Sequence, residues 1–396
     1  MPHLNCKNKR QIKLCIITTV PISIISFYGE QIDFLADRGF DITVITSPDN
    51  ELEKRISKKA RLILIPMTRV VSPLRDLIAL LKVFNYIRNG EFDIIQYSSP
   101  KAALLGSISS WFCHVPVRLY LMWGLFYTGQ QGFKRYFLKF FEKVACFCST
   151  HVSPDSNGNM LFAVQEKLCS LSKLSVVGIG SANGTDLKRF DSKRLKPMGE
   201  KIRLNLNIPS HALVFGFVGR LRRDKGVNEL IFSFENLNKK YPDIYLLLLG
   251  SQEAAEDEFD NESRVSLVKN KHIISVGYQE KPEEFMSAMD VFVLPSYREG
   301  FGVVNIEASA MGLPVISTDI PGPRDSVING KTGILVKVKS VEELTEAMEK
   351  LINDLDLRKN MGEAGRQWSN SFDQISHWEA IKEHRLNLLR KANIGV

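Results

Sequence analysis

The sequence predicts an α/β protein with two doubly wound parallel-sheet domains that face each other. Short runs rich in Ile, Leu and Val alternate with longer segments of helical period, and the alternation stops near residue 190 and starts again near residue 213. The chain has 396 residues, 44 % of them hydrophobic and 24 % charged, which suits two globular domains. This composition excludes a disordered or fibrous chain.

In the first half, short apolar runs predict six strands. They cover residues 12–19, 41–46, 61–65, 93–97, 117–122 and 174–177. A helix is predicted over residues 74–88, where apolar side chains recur at intervals of three and four. The second half repeats the pattern, with strands predicted at residues 213–218, 245–249, 273–276, 291–294, 315–318 and 333–336.

The break between the two halves predicts the domain boundaries. Residues 191–204 are dense in Lys and Arg, contain Pro197 and Gly199, and show no apolar period, so we interpret them as a linker. The expected domains are residues 1–190 and 205–375, and residues 376–396 are expected to form a helix that returns to the first domain. Because open parallel sheets bind ligands at the carboxyl ends of their strands, we expect the site in the cleft between the domains.

Cysteine spacing and hydropathy indicate a cytoplasmic protein. The six cysteines form no C-x-x-C pair and are expected to be reduced; they are Cys6, Cys15, Cys113, Cys146, Cys148 and Cys169. The basic N-terminus is not followed by the clean apolar centre of a signal peptide. No transmembrane helix is predicted, because the longest nearly uncharged stretch, residues 102–117, is shorter than the roughly 20 residues of a span.

Charge is unevenly distributed along the chain. The net charge is +8, but residues 1–195 hold 26 Lys and Arg against 15 Asp and Glu, whereas residues 196–396 hold 26 against 29. The basic first half predicts a negatively charged partner. Charge alone leaves nucleic acid, an anionic membrane surface and a phosphorylated substrate open.

The strongest motif follows the predicted strand at residues 291–294. It reads PSYREGFG from Pro295 to Gly302 and leads into a helical segment whose free N-terminal amides suit a diphosphate. Glu299 and Glu307 are eight residues apart, and such carboxylates accept hydrogen bonds from sugar hydroxyls. The helix is apolar around much of its circumference, so we expect Glu307 to be buried and to need a partner.

A second motif follows the predicted strand at residues 213–218. Gly219 lets the backbone approach a ligand closely. Arg220 offers a planar fork to phosphate oxygens, and Lys225 offers a compact positive charge. Both motifs therefore predict a phosphate-bearing ligand in the second half of the chain.

Taken together, these residues resemble the family 4 retaining glycosyltransferases of the GT-B fold, which has two facing Rossmann-like domains. Residues 92–102 and 180–186 are similar to the branch that builds bacterial capsule, O-antigen and lipid-linked glycans. The resemblance implies that Arg220 and Lys225 neutralise the donor diphosphate, that Glu307 holds the ribose, and that Glu299 contacts the donor sugar. It also implies a donor pocket completed by the backbone around Gly219, Gly300, Phe301, Gly302, Val303 and Val304.

The resemblance also implies the substrates. As donor, we expect a hexose or N-acetylhexosamine on a nucleotide diphosphate, with UDP as the first candidate. As acceptor, we expect a lipid-linked saccharide. No cofactor, metal or nucleic acid is expected. The expected location is the cytoplasm, with peripheral contact to the cytoplasmic face of the inner membrane as an option. Asp354 and Asp356 have D-x-D spacing, but they lie in a charged helical stretch that predicts a solvated face.

The first half departs from the family pattern. Gln96, Ser98 and Trp123 stand where many relatives carry His. The candidate acceptor-side residues are Lys101, Trp123 and Asp155. Asp155 either lines the cleft or caps the helix that begins near Asn157.

Two questions remain open from the sequence. The basic amphipathic segment at residues 133–147 suits either an anionic membrane surface or a core-packed helix with a solvated basic face. The rival functions are a UDP-sugar 2-epimerase of the same fold and a non-catalytic nucleotide-sugar-binding protein. A nicotinamide-dependent oxidoreductase is disfavoured, because the glycines at residues 178–180 lack the third glycine of the dinucleotide fingerprint.

Overall fold

The computed structural model describes residues 10–68, 70–252 and 260–395, and it divides into two compact units. The first unit comprises Met1–Asn183 and Ser376–Val396, and the second unit comprises Gly184–Ile375. Phe190, the last residue of the expected first domain, packs in the core of the second unit. The division therefore falls between Asn183 and Gly184 instead of after residue 190.

The first unit is a parallel sheet covered by helices. Its strands are β1 (Ile12–Thr18), β2 (Phe40–Thr46), β3 (Ala60–Leu64), β4 (Ile94–Ser98), β5 (Val117–Met122) and β6 (His151–Pro154). Its helices within the first 183 residues are α1 (Pro21–Phe27), α2 (Gly29–Ala36), α3 (Asn50–Arg55), α4 (Pro73–Gly90), α5 (Pro100–Phe112), α6 (Gly132–Cys148) and α7 (Asn157–Gln165).

The second unit has the same construction. Its helices are α8 (Ser192–Asn205), α9 (Val227–Asn238), α10 (Asn261–Lys269), α11 (Pro282–Met286), α12 (Val303–Ala310), α13 (Pro323–Ser326), α14 (Val341–Asn353) and α15 (Leu355–Ser369). Its strands are β7 (Leu213–Val218), β8 (Ile244–Leu249), β9 (Ile273–Ser275), β10 (Val291–Leu294), β11 (Val315–Thr318) and β12 (Gly333–Val336). Short 3-10 helices occur at Phe126–Gly129, Leu171–Lys173, Arg223–Lys225 and Asn370–Phe372.

The last helix, α16 (Gln374–Lys391), packs on the first unit. Trp378, Leu388 and Leu389 are buried in the same hydrophobic cluster as residues of β1 and β2.

In the described residues, both sheets are fully parallel and share one strand order. The order is β3-β2-β1-β4-β5-β6 in the first unit and β12-β11-β10-β7-β8-β9 in the second. Side chains of β1 enter two different clusters in turn, Leu14 and Ile16 on one face and Cys15 and Ile17 on the other. Burial on both faces explains why these strands are continuous apolar runs in the sequence. The predicted fold of two Rossmann-like parallel-sheet units is confirmed.

One predicted strand is wrong. Residues 174–177 form no strand; Leu174 makes a single bridge to Val152. The sixth strand is instead β6, in which Val152 pairs with Tyr120 of β5. Its sequence, His-Val-Ser-Pro, has too few apolar residues to stand out, and it is buried because the surrounding fold covers it.

Residues 191–204, which were expected to form a linker, belong to helix α8 and its N-cap instead. Helix α8 begins where the Asp191 side chain accepts hydrogen bonds from the backbone of Lys193 and Arg194. Its buried residues are Leu195, Gly199 and Ile202, a helical spacing that the surrounding charges hide. A Cβ on Gly199 would lie 2.2 Å from the Ser287 carbonyl oxygen, so the glycine allows close packing of this helix in the second unit.

Within the described parts of the chain, every helix is too short or too polar to cross a bilayer. The five described cysteines are free thiols, and Cys6 lies outside the described residues.

Candidate functional site

The two sequence motifs of the second unit follow neighbouring strands, β7 and β10, where the strand order reverses. Residues 219–226 connect β7 to α9, and residues 295–302 connect β10 to α12. In open parallel sheets, the carboxyl ends of strands at this reversal form the ligand-binding crevice. The strand order thus brings together motifs that are separated by about 70 residues of sequence.

Close backbone packing joins the two loops. Gly226 has a φ of +71°, and a Cβ on it would lie 2.1 Å from the Pro295 carbonyl oxygen, so only glycine fits here. The Tyr297 amide donates a hydrogen bond of 2.9 Å to the Asp224 carbonyl oxygen. The guanidinium of Arg298 pairs with the Asp224 carboxylate at 2.8 Å. The result is a single loop cluster.

Two of the predicted catalytic residues form an ion pair in this cluster. Lys225 Nζ lies 2.6 Å from Glu299 Oε1, and the side chains are only 18 % and 14 % exposed. The Ser296 hydroxyl donates to the same Glu299 oxygen at 2.7 Å. Arg220 is half-buried in the loop that carries Lys225. A phosphate that enters here meets an ammonium group already held in place by a carboxylate.

The N-terminus of α12 supplies backbone donors to the same region. Gly302 adopts a φ of +78° at its start, and no side chain in the described residues caps the helix there. The first amides of a helix have no intrahelical partner, so those of Val303 and Val304 suit an anion. Phe301 is buried against Ile306 and Phe372, which leaves only its backbone for a ligand.

Glu307 lies one turn further along α12 and is half-buried. Burial raises the pKa of its carboxyl to about 7; the nearby Arg189 opposes this rise, and Glu283 adds to it. Arg189 itself is paired with Glu283 at 2.8 Å. No donor in the described part of the chain hydrogen-bonds to the Glu307 carboxylate. The partner that the sequence predicts for Glu307 is therefore not supplied by those residues.

A cavity in the first unit contains two of the three acceptor-side candidates. Trp123 and Asp155 line it, and the cavity is partly open to solvent. The Trp123 ring lies 5.0 Å from the ring of Phe27. Lys101 does not line this cavity, because its Nζ is held by Asp76 Oδ1 at 2.6 Å and by a backbone oxygen. Helix α7 is capped by Ser156 and not by Asp155: the Ser156 hydroxyl accepts a hydrogen bond from the Asn159 amide.

Among the cavity residues that sequence reasoning missed are three polar residues of α16. They are His377, His384 and Arg385. Arg385 is 1 % exposed and donates from Nε and Nη2 to Gln96 Oε1, at 3.1 and 2.6 Å. Gln96 in turn donates from Nε2 to the Tyr28 hydroxyl at 3.0 Å. The only sequence signal for these three residues of α16 was the expectation that the last helix returns to the first domain. That expectation did not reveal which face of the helix would be buried.

The D-x-D segment has a structural role. The Asp354 carboxylate accepts a hydrogen bond of 2.8 Å from the Leu357 amide and so caps α15. Over the residues that the structure describes, no three His, Cys, Asp or Glu side chains come together as a set of metal ligands.

Comparisons with known proteins find relatives among the glycosyltransferases. Residues 199–368 match the family model described as glycosyl transferases group 1, and residues 22–154 match the model described as glycosyl transferase 4-like. The chain is 34 % identical to the Staphylococcus aureus capsular polysaccharide biosynthesis glycosyltransferase CapM, over 96 % of this chain and 98 % of that protein.

Two further proteins are similar over most of their length. One is an Escherichia coli UDP-Gal:alpha-D-GlcNAc-diphosphoundecaprenol alpha-1,3-galactosyltransferase, 25 % identical over 91 % of this chain and 92 % of the relative. The other is the crystal structure of Anabaena HepE in complex with UDP and glucose, with a TM-score of 0.76 at 18 % identity over 94 % of this chain and 99 % of that chain. At this identity, the structural likeness shows a common fold.

Proposed function

This chain belongs to the family 4 glycosyltransferases of bacterial glycan biosynthesis, and we propose that it transfers a hexose or an N-acetylhexosamine from a UDP-linked sugar to a saccharide on a lipid carrier, with retention of configuration. In this proposal the second unit binds the donor and the first unit binds the acceptor. The S. aureus relative is named for capsular polysaccharide, and the E. coli relative is named for a UDP-sugar donor and a diphosphoundecaprenol-linked acceptor. These names support the choice of substrates.

The observation that carries the proposal is the loop cluster of the second unit. It combines the Lys225 ammonium, the Glu299 carboxylate and the uncapped start of α12 at the reversal of strand order. A nucleotide diphosphate sugar presents complementary groups, namely a charged diphosphate flanked by two sets of hydroxyls. In the proposed complex, Lys225 and Arg220 bind the diphosphate, Glu299 binds the donor sugar, and Glu307 accepts hydrogen bonds from the ribose.

The proposed reaction proceeds on one face of the donor sugar. The bond between the anomeric carbon and the diphosphate oxygen breaks, and an acceptor hydroxyl oxygen bonds to the same carbon from the same side. The acceptor proton passes to the departing phosphate oxygen, so no protein base is needed. Lys225, Arg220 and the α12 amides stabilise the charge that develops on the leaving diphosphate, and the proposal involves no cofactor or metal.

A panel of nucleotides tests donor binding. We expect UDP and UDP-sugars to raise the melting temperature of the full chain, because a ligand at 100 times its Kd stabilises the folded state by about 2.7 kcal/mol. GDP and ADP at the same concentration serve as controls. If folded protein shows no shift with any nucleotide, the donor site is assigned to the wrong ligand.

Product analysis separates transfer from the rival activities. With UDP-sugar and a lipid-linked saccharide, we expect a glycosylated lipid and free UDP. Conversion of the sugar in the absence of acceptor would identify an epimerase. Binding of the donor without transfer or hydrolysis, across a range of lipid-linked acceptors, would favour a non-catalytic binding protein.

We further propose that α6 contacts an anionic membrane. Its outer face is apolar, with Phe133 83 % and Phe147 70 % exposed, while Lys134 and Lys143 are exposed on the same helix. The neighbouring helices add exposed apolar side chains, which are Leu74, Leu77, Ile78 and Leu81 on α4 and Trp111 and Phe112 on α5. Aromatic residues between lysines suit the boundary between headgroups and acyl chains, where a lipid-linked acceptor lies.

Liposome sedimentation tests this contact. We expect the parent to sediment with anionic vesicles at low salt and to be released at high salt, since surface charge is screened. Lys134→Glu combined with Lys143→Glu is expected to weaken binding by at least about tenfold, at about 1 kcal/mol per lysine removed. The control is Lys269→Glu with Lys271→Glu, which changes two exposed lysines of the second unit. Equal binding by parent and Lys134/Lys143 variant would refute the membrane proposal.

A further inference from the structure

The cavity of the first unit contains a buried positive charge with an unused donor. Arg385 lines the cavity, and within the described residues its Nη1 has no hydrogen-bond partner. Its other two nitrogens both donate to one neutral oxygen, Gln96 Oε1. Over the described chain, no Asp or Glu side chain forms an ion pair with this guanidinium.

A buried charge of this kind raises the free energy of the folded protein when no ligand is bound. A buried ion loses its hydration and is stabilised only by an opposite charge or a full set of hydrogen bonds. Burial lowers the pKa of Arg385 to about 10, so the guanidinium is still charged at neutral pH. The Gln96 carbonyl supplies a dipole but no countercharge. An anion that enters the cavity would provide both the countercharge and an acceptor for Nη1.

The other walls of the cavity add hydrogen-bonding groups. His377 and His384 line it, and the Nε2 of each is buried without a partner among the residues described. Burial lowers the pKa of both imidazoles to about 4, so at pH 7 each is neutral, with one nitrogen that donates and one that accepts. Asp155 lies on the wall formed by β6 and is held by Asn159 Nδ2 at 3.0 Å.

We propose that this cavity binds an acidic saccharide, whose anionic group pairs with Arg385 Nη1 and whose hydroxyls donate to Asp155. The inference rests on the proposed function, in which the first unit binds the acceptor, and it adds that Arg385 in this cavity recognises an anionic group of that acceptor. An anion alone would be repelled by Asp155, and a neutral sugar would leave Arg385 without a countercharge. The Trp123 ring, which lines the same cavity, offers an apolar face to a sugar ring.

The anionic group has two chemical sources, a sugar carboxylate or a phosphate attached to the sugar. Two probes distinguish them, D-glucuronate for the carboxylate and D-glucose 6-phosphate for the phosphate. D-glucose is the neutral control. All titrations use the full chain with saturating UDP, so that the donor pocket of the second unit is occupied and does not bind the probes.

The variants are Arg385→Met, which removes the charge but keeps the length, and Arg385→Gln, in case the first variant does not fold. Arg38→Met is the matched control, because Arg38 is a cation of the same unit that pairs with Glu379 of α16 and does not line the cavity. A normal UDP-induced rise in melting temperature verifies that each variant is folded.

We expect one of the two acids to bind the parent and the Arg38→Met variant with equal affinity, and glucose to bind at least tenfold more weakly. In Arg385→Met, we expect the Kd of that acid to rise about 10- to 100-fold, which corresponds to a lost charge-assisted hydrogen bond. The inference is overturned if neither acid binds, if glucose binds as well as the acids, or if Arg385→Met binds the acid like the parent.

Failure of the proposed function would be seen separately. If UDP does not bind to the folded parent but an acid still binds through Arg385, the donor assignment fails and the anionic cavity remains. If UDP binds and no acid does, the donor assignment remains and the acidic acceptor is rejected.

Discussion

Replacement of Lys225 with alanine is expected to lower kcat about 10²- to 10³-fold. The reason is that Lys225 bears a positive charge in the loop cluster where the proposal places the leaving diphosphate, and loss of one such stabilising donor typically has an effect of this size. The measurement is steady-state release of UDP with a UDP-sugar and a lipid-linked acceptor. Because the charge stabilises the transition state more than the bound donor, we expect KM for the donor to change much less than kcat.

Lys240→Ala is the matched control for this variant. Lys240 is also a lysine of the second unit in a short ion pair, with Glu349 at 2.7 Å, but it lies between α9 and α14, away from the loop cluster. Loss of an ion pair in general would affect both variants, whereas loss of the leaving-group charge affects only Lys225→Ala. A turnover of Lys225→Ala within a few-fold of the parent would show that this lysine is not the one that stabilises the diphosphate.

Glu307→Gln is expected to weaken UDP binding about 10- to 100-fold while it stabilises the unliganded protein at alkaline pH. The carboxylate is proposed to accept hydrogen bonds from the ribose, and bonds to a charged acceptor contribute about 1.5–3 kcal/mol. The same carboxyl has its pKa raised to about 7 by burial, so the folded protein holds this proton more tightly than the unfolded chain does. Binding is measured by titration and stability by thermal unfolding.

The direction of the pH dependence follows from the raised pKa of Glu307. The stability that this group contributes is complete below the ordinary pKa of 4.5 and is lost as the pH rises through about 7. Glutamine does not ionise, so at pH 8 we expect Glu307→Gln to be more stable than the parent by about 1–3 kcal/mol, with little difference at pH 4.5. UDP affinity of the parent should increase from pH 6 to pH 8, as the carboxylate forms.

Glu142→Gln is the control that separates the effect on stability from the effect on UDP binding. Burial also raises the pKa of Glu142 to about 7, but this residue lies in the first unit and accepts a hydrogen bond from the Tyr120 hydroxyl. The control variant should therefore show a similar gain of stability at pH 8 and unchanged UDP binding. If Glu307→Gln binds UDP like the parent, the ribose assignment is wrong even if its stability changes as expected.

Much of the fold could be predicted because a parallel sheet covered on both faces imposes a strong local pattern. Strands such as β10, β11 and β12 are short apolar runs, and the structure has them at the predicted residues. The missed strand, β6, and the missed helix, α8, lack that pattern. Their burial depends on neighbours that are distant in sequence, and in α8 three buried positions are hidden among lysines and arginines.

The candidate donor site was predictable for a similar reason. Gly219, Arg220 and Lys225 follow one strand and Glu299 to Gly302 follow another, so each motif is local in the sequence, and the family resemblance assigns its chemistry. That the two motifs are held together, with Lys225 paired to Glu299, depends on the strand order. The roles of these residues in catalysis remain predictions that the experiments above address.

The sequence by itself thus determined the fold class, the two loop motifs of the second unit and the family, because local apolar periodicity and short motifs carry that information. Only the tertiary structure decided which polar residues are buried together. Arg385 is 289 residues from Gln96 in the sequence. From the sequence alone it resembles a surface arginine of an amphipathic helix, and it is buried only because α16 packs against the first unit. The free-energy cost of an uncompensated buried charge arises only in the folded state, so no local sequence pattern could have predicted this buried arginine.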